Sequence, residues 1–212
     1  MRYKAVLFDM DGVITDTDHL HFLVWKELMK EQGVDLDEKT YITHLQSRSH
    51  EEAITSLLGP KSKKEIDQLS YEKNKRSKTL LKEHISVYQD TIDLIKHLSK
   101  KGFILAVVSA SSNAAFVIEE INMTKKFQLI VSGTKDLHLR NKPHPDIYEY
   151  AMKRLSVSPK ETIIIEDSLS GIRAGLDSGA KVVGINRGNL VVPKTEDLYV
   201  TKDLHTIIDW FA

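Results

Sequence analysis

Four β-prone apolar runs alternate with helical segments over residues 103–185, while a fifth run stands alone at residues 4–8. Phe103-Ile104-Leu105-Ala106-Val107-Val108 is apolar throughout, as a strand buried on both faces should be. A helix is predicted from Asn113 to Ile121, and Leu129-Ile130-Val131 forms the next short strand. Pro145 to Leu155 reads as a helix with proline near its first turn. Thr162-Ile163-Ile164-Ile165, a helix from Ser170 to Ser178, and Lys181-Val182-Val183-Gly184-Ile185 complete the alternation. Repeated strand–helix units predict an α/β fold, a doubly wound parallel sheet of Rossmann-like type with helices on both faces.

The lone run ends at Asp9-Met10-Asp11-Gly12, and from about Thr17 to Glu83 the pattern is helical throughout. Leu20, Leu23, Val24 and Leu28 mark one apolar face, with Trp25 beside it. Glu51 to Leu58 and Ser62 to Leu81 continue the theme, punctuated by Gly33 and by Gly59-Pro60. The charged run from Lys61 to Lys82 mixes signs at helical spacing and reads as a solvated face. A helical domain is therefore inserted after the first strand. The expected division is residues 1–15 with 86–212 as the α/β core and residues 16–85 as the inserted domain.

Composition removes several function classes. Lys plus Arg equals Asp plus Glu, 30 against 30, so no charge excess points to nucleic acid or an anionic membrane as partner. The absence of cysteine removes disulfides, thiolate catalysis and cysteine zinc sites. The apolar runs are too short to span a bilayer, and the N-terminus shows no signal-peptide pattern. A cytoplasmic monomer is expected. Gly184 to Gly188 carries no dinucleotide fingerprint.

In open α/β sheets the site sits at the carboxyl ends of the strands. Asp9 and Asp11 follow the first strand, Ser109-Ala110-Ser111 follows Val108, and Glu166-Asp167-Ser168 follows Ile165. Lys142-Pro143 precedes the Pro145 helix. Taken singly, these are a turn, a helix cap, a helix-dipole partner and a solvated lysine. Together they deliver acids, a hydroxyl and an ammonium to one sheet edge, which suits phosphoryl transfer. Mg²⁺ takes one or two carboxylates, here Asp9 and Asp167, plus substrate phosphate and water. Lys142 and the Ser109 hydroxyl can hold the phosphoryl oxygens. A carboxylate nucleophile is ionised at neutral pH, and Asp11, two residues on, can act as acid and base.

These residues match a known family. Asp9-Met10-Asp11-Gly12-Val13 resembles the first motif of the haloacid dehalogenase superfamily, and Ser109, Lys142 and Glu166-Asp167 match the other three in order. The placement of the helical block implies the subclass with a helical cap, and the wider match is closest to β-phosphoglucomutases and their phosphatase relatives. That match includes Thr17, His21-Phe22 with Trp25-Lys26, Ser109-Ala110-Ser111 with Asn113, and Pro145-Asp146-Ile147. The resemblance implies Asp9 as nucleophile and Asp11 as acid/base. It implies Mg²⁺ held by Asp9, the Asp11 carbonyl and Asp167, with Glu166 beside it. Thr17 would lie at the cap hinge, His21 would couple substrate to Asp11, and Ala110 and Asn113 would lie beside substrate.

The cap departs from that pattern. Mutases carry a Lys-Gly pair, then an arginine three residues later, to grip a distal phosphate. In Leu45-Gln46-Ser47-Arg48-Ser49-His50, Gln46 and Ser47 stand at the pair and His50 at the arginine, with Arg48 nearby. Histidine cannot give arginine's bidentate grip. Gln89-Asp90 also stand where relatives usually have Pro-Gly. The expected function is hydrolysis of a small phosphorylated metabolite, of the sugar-phosphate kind, through an aspartyl-phosphate. A β-phosphoglucomutase-type mutase is the alternative, and a non-catalytic binding protein on the same fold the remote one. A haloacid dehalogenase proper needs neither Mg²⁺ nor an acid at Asp11.

Overall fold

The computed structural model describes residues 3–46, 48–134, 137–188, 190–192 and 195–211. Along the chain come β1 (Ala5–Phe8), α1 (Asp18–Glu31), α2 (Glu38–His44), α3 (His50–Leu58), α4 (Lys63–His84) and α5 (Gln89–Lys100). Then follow β2 (Ile104–Ser109), α6 (Ala114–Glu120), β3 (Leu129–Ser132), α7 (Asp146–Leu155), β4 (Thr162–Glu166), α8 (Leu169–Asp177), β5 (Lys181–Ile185) and β6 (Leu198–Thr201). A 3₁₀ segment, Leu204–Phe211, comes last. The chain forms two compact units, Met1–Asp16 with Ser86–Ala212, and Thr17–Ile85.

The first unit is built on a six-stranded parallel sheet of order β3-β2-β1-β4-β5-β6. This is the doubly wound α/β architecture expected from the alternation. Leu7, Ala106, Val108, Ile164 and Val182 pack on one face with Ile147, Tyr148, Ala151 and Met152 of α7 and Ile172 and Ala174 of α8. The alternate residues Val6, Phe8, Leu105, Val107, Ile163 and Ile165 are also fully buried, so the opposite face is covered too. On that side α5 contacts β2 and packs against the 3₁₀ segment, where Phe103 and Phe211 meet edge to face at 5.3 Å.

Three elements of this unit carry no assignment in the sequence reading. Helix α5 has its apolar residues, Ile92, Leu94, Ile95 and Leu98, on one face. Strand β6 is a four-residue edge strand with Tyr199 and Val200 exposed, so it lacks the continuous apolar run of the inner strands. The 3₁₀ segment completes the core through Leu204, Ile207 and Phe211.

In the second unit the continuous helical pattern resolves into four helices. Ser49 starts α3 and Ser62 starts α4, each in a capping box with the glutamate three residues on. The core is Trp25, Leu28, Met29, Leu36, Tyr41, Leu45, Ala53, Ile54 and Ile66. Trp25 therefore belongs at the centre of the buried face. Leu23 does not, being 39% exposed. The α4 face is not wholly solvated either: Lys73 and Ser77 are buried. Among the described residues no helix is long and apolar enough to cross a membrane.

Candidate active site

Strand register decides what meets at the sheet edge. β1 is central, with Phe8 opposite Val107 on one side and Ile165 on the other. The next residue, Asp9, donates its N–H to the Ile165 carbonyl at 2.9 Å. This levels Asp9 with the carboxyl ends of β2 and β4, which end at Ser109 and Glu166. The chain then turns sharply, with Gly12 N–H on the Thr15 carbonyl at 2.8 Å. Gly12 has φ +75°, and a Cβ there would collide with the Asp167 carboxylate. Only glycine lets the two segments approach this closely.

Lys142 reaches into the edge from the loop before α7. Its Nζ lies 2.7 Å from Asp9 Oδ1 and 2.5 Å from Glu166 Oε1. All three residues are buried. Burial works against the Lys142 ammonium, but Asp9 and Glu166 outweigh it and push its pKa well above the ordinary lysine value. Burial raises the Asp9 carboxyl above its ordinary value, and the charges of Glu166 and Asp11 add to this, while the Lys142 ammonium opposes it; a divalent cation bound beside Asp9 would likewise favour the ionised form. Oxygens of Asp9, Glu166 and Asp167 all lie within 4.8 Å of one another. Hard oxygen donors and an excess of carboxylate over ammonium fit a divalent cation such as Mg²⁺.

The loop after β2 supplies hydroxyls and an amide. Ser109 is buried, and its Oγ accepts the Ser111 N–H at 3.0 Å, leaving its own proton to donate. Asn113 is 1% exposed and does not cap α6; its Nδ2 has no partner among the described groups. Ala110 is exposed. The predicted core residues Asp9, Asp11, Ser109, Lys142, Glu166 and Asp167 thus all belong to the strand ends and loops of one edge.

The second unit holds the other predicted residues. Thr17 immediately precedes α1 and is fully buried. His21, also buried, has Nδ1 3.4 Å from Lys73 Nζ. The sequence reading missed Lys73, because a lysine in a charged helix carries no mark of burial. Gln46 donates to Asp18 Oδ2 at 3.0 Å, and exposed Arg48 donates to the Thr43 carbonyl at 3.0 Å. His50 meets the Trp25 ring edge-on at 5.7 Å. Ser47 lies outside the described residues.

Comparison with known proteins agrees with this geometry. The sequence profile of the haloacid dehalogenase-like hydrolases matches residues 6–185. The chain is similar to the β-phosphoglucomutase of Bacillus subtilis (strain 168), with 32% identity over 92% of this chain and 91% of that protein. It is also similar to a phosphorylated carbohydrates phosphatase of Thermotoga maritima, with 30% identity over 92% of this chain and 88% of that one. The crystal structure of β-phosphoglucomutase from Clostridium difficile superposes with TM-score 0.85 at 29% identity, covering 97% of this chain and 93% of that chain. The chain belongs to the haloacid dehalogenase-like hydrolase family.

Proposed function

We propose that this chain is a Mg²⁺-dependent phosphomonoester hydrolase, acting on a small sugar-phosphate-like metabolite through an aspartyl-phosphate on Asp9. The observation that carries this reading is the buried Asp9 carboxylate, held 2.7 Å from the Lys142 ammonium at a strand end. An Asp9 oxygen attacks phosphorus, the bond from phosphorus to the ester oxygen breaks, and Asp11 gives its proton to the departing alcohol. In the second half Asp11 takes a proton from water as the water oxygen attacks phosphorus. The Asp9–phosphorus bond breaks, phosphate leaves, and Asp11 is protonated again. Lys142 and the Ser109 hydroxyl hold the phosphoryl oxygens, and the partnerless Asn113 Nδ2 is a further donor for an oxyanion. Asp9, the Asp11 carbonyl and Asp167 would hold Mg²⁺, with Glu166 beside it, and the ion would supply positive charge to offset that of the transferring group.

A sugar phosphate is the favoured substrate class because the relatives are named for phosphoglucose and phosphorylated carbohydrates. The mutase is the second reading, favoured by the 32% identity to the Bacillus enzyme. The Leu45–His50 loop argues for hydrolysis. A mutase grips a bisphosphate in two orientations, and here Gln46 and Arg48 are engaged within their own unit, with histidine at position 50. The test is a phosphate-release screen over sugar phosphates with and without Mg²⁺, beside an assay of β-glucose 1-phosphate conversion to the 6-phosphate. Mg²⁺-dependent net release supports hydrolysis. Clean isomerisation with little free phosphate transfers the assignment to the mutase, and no Mg²⁺-dependent turnover in either assay removes both.

A further inference from the structure

One buried polar group touching the site has no part in either half-reaction. Tyr148 of α7 is fully buried within the apolar cluster under the sheet. Its hydroxyl donates to Glu166 Oε1 at 2.6 Å. The same oxygen accepts Lys142 Nζ at 2.5 Å. The other oxygen, Oε2, accepts the N–H groups of Asp167 at 3.1 Å and Ser168 at 3.3 Å, and the Ser168 hydroxyl at 3.1 Å. A carboxylate offers about four lone-pair sites, so Glu166 is saturated by protein donors. It cannot ligate a cation directly without releasing one of them. Gly171 completes the enclosure, since a Cβ there would collide with the Glu166 carboxylate. Glu166 is built as an anchor, and Tyr148 is one of its two holds on the oxygen facing Lys142.

We propose that Tyr148 is a positioning residue for phosphoryl transfer: through Glu166 Oε1, its hydroxyl fixes where the Lys142 ammonium stands relative to Asp9. The inference rests on the phosphoryl-transfer reading. Lys142 is drawn toward two carboxylates, Asp9 at 2.7 Å and Glu166 at 2.5 Å. The balance depends on how much acceptor strength Oε1 retains after the Tyr148 hydroxyl has taken its share. Without that hydroxyl, Oε1 pulls the ammonium toward Glu166 and away from the reacting oxygens. Electrostatic stabilisation needs donors aimed where charge develops, so a small displacement lowers the rate. The Tyr148 ring has a separate contact, with Lys142 Nζ 5.0 Å from its centroid. Phenylalanine keeps that cation–π contact and the packing, so Tyr148→Phe removes the hydroxyl alone.

The full-length wild type, Tyr148→Phe, Glu166→Gln and the double variant are compared on p-nitrophenyl phosphate with Mg²⁺, with circular dichroism and Tm as folding controls. Tyr148→Phe should lower kcat by about tenfold to a hundredfold, with KM nearly constant. If Tyr148 acts through Glu166, the double variant should be no slower than Glu166→Gln alone. A wild-type kcat in Tyr148→Phe, a loss confined to KM, or multiplicative losses in the double variant would overturn the proposal. Should Tyr148→Phe not fold, 3-fluorotyrosine at position 148 keeps the hydroxyl and strengthens it as a donor. A shift in kcat at constant KM is then expected, and an unchanged kcat overturns the idea. Wild type without Mg²⁺-dependent turnover, or Asp9→Asn with full turnover, sinks the phosphoryl-transfer reading itself. Wild-type turnover matched by Tyr148→Phe sinks only the role of Tyr148.

Discussion

The sheet edge of the first unit and the Leu45–His50 loop of the second both gather polar side chains, but they hold them differently. At the edge, buried Glu166 has five donors and buried Lys142 bridges two carboxylates. In the loop, Gln46 has Asp18, and exposed Arg48 has one carbonyl. A charge buried without partners is costly, so every neighbour of the first set is constrained by every other. Half-buried Gln46 and exposed Arg48, each with one such partner, carry less of that constraint. On the proposed reading, the reaction type would rest on the over-determined edge, and the choice of substrate on residues held by fewer contacts.

That contrast can be broken most easily at Asp9. Asp9→Asn should lower kcat by about 10⁴-fold or more, as loss of a covalent nucleophile does, while Arg48→Ala should leave kcat close to wild type. Steady-state kinetics with Mg²⁺ on any ester found by the screen measures both. Comparable losses would mean the loop takes part in the chemistry. His50→Arg sharpens the contrast from the other side. It should tighten binding of a sugar bisphosphate by about tenfold, the worth of one charge-assisted contact, with kcat for a monophosphate unchanged. No change in bisphosphate affinity would show that a second phosphate is not read at position 50.

A separate effect, on stability rather than on rate or affinity, concerns support of the edge at a distance. Asp90, where relatives usually have glycine, is buried and takes both Arg187 terminal nitrogens, at 2.9 and 2.8 Å, and the Leu204 N–H at 2.9 Å. Next to it, Thr91 Oγ1 donates to the Val13 carbonyl at 2.7 Å, in the turn that follows Asp9 and Asp11. Burial raises the Asp90 pKa, but its hydrogen bonds and Arg187 outweigh this and hold it below the ordinary value. A depressed carboxyl stabilises the fold at neutral pH, and loses that contribution as pH falls below about 3.9 through its folded value. Asp90→Asn should therefore cost about 2 kcal/mol at pH 7, with the gap from wild type closing in acid. Denaturant melts at pH 7 and pH 3 check this, and a gap that widens in acid would refute it.

How much of this was legible depends on where each residue announces itself. Asp9, Asp11, Ser109, Lys142 and Glu166-Asp167 are polar residues placed just after apolar runs or just before a helix, and the chain order alone marks them. Tyr148 sits among Ile147, Ala151 and Met152 on the buried stripe of α7, where an aromatic looks like packing, and it is packing. Its hydroxyl partner comes from 18 residues away, on another element. Lys73 is hidden for the opposite reason: a lysine in a charged helix gives no sign that its ammonium meets His21. Helix α5 has a readable apolar face, while β6 depends on β5 beside it, because a four-residue edge strand has too little pattern of its own.

By itself, the sequence determined the α/β architecture, the inserted helical segment and the Asp-x-Asp motif with its three companion motifs. These are local properties, since the period of apolar residues and the polar residue that ends a strand are set by near neighbours. Only the tertiary structure decided that Glu166 is saturated, that Tyr148 and Lys142 share one of its oxygens, and that Gln46 turns to Asp18. Those facts depend on lone pairs being shared among residues far apart in the chain. A linear pattern names donors and acceptors, but packing alone assigns each to its partner.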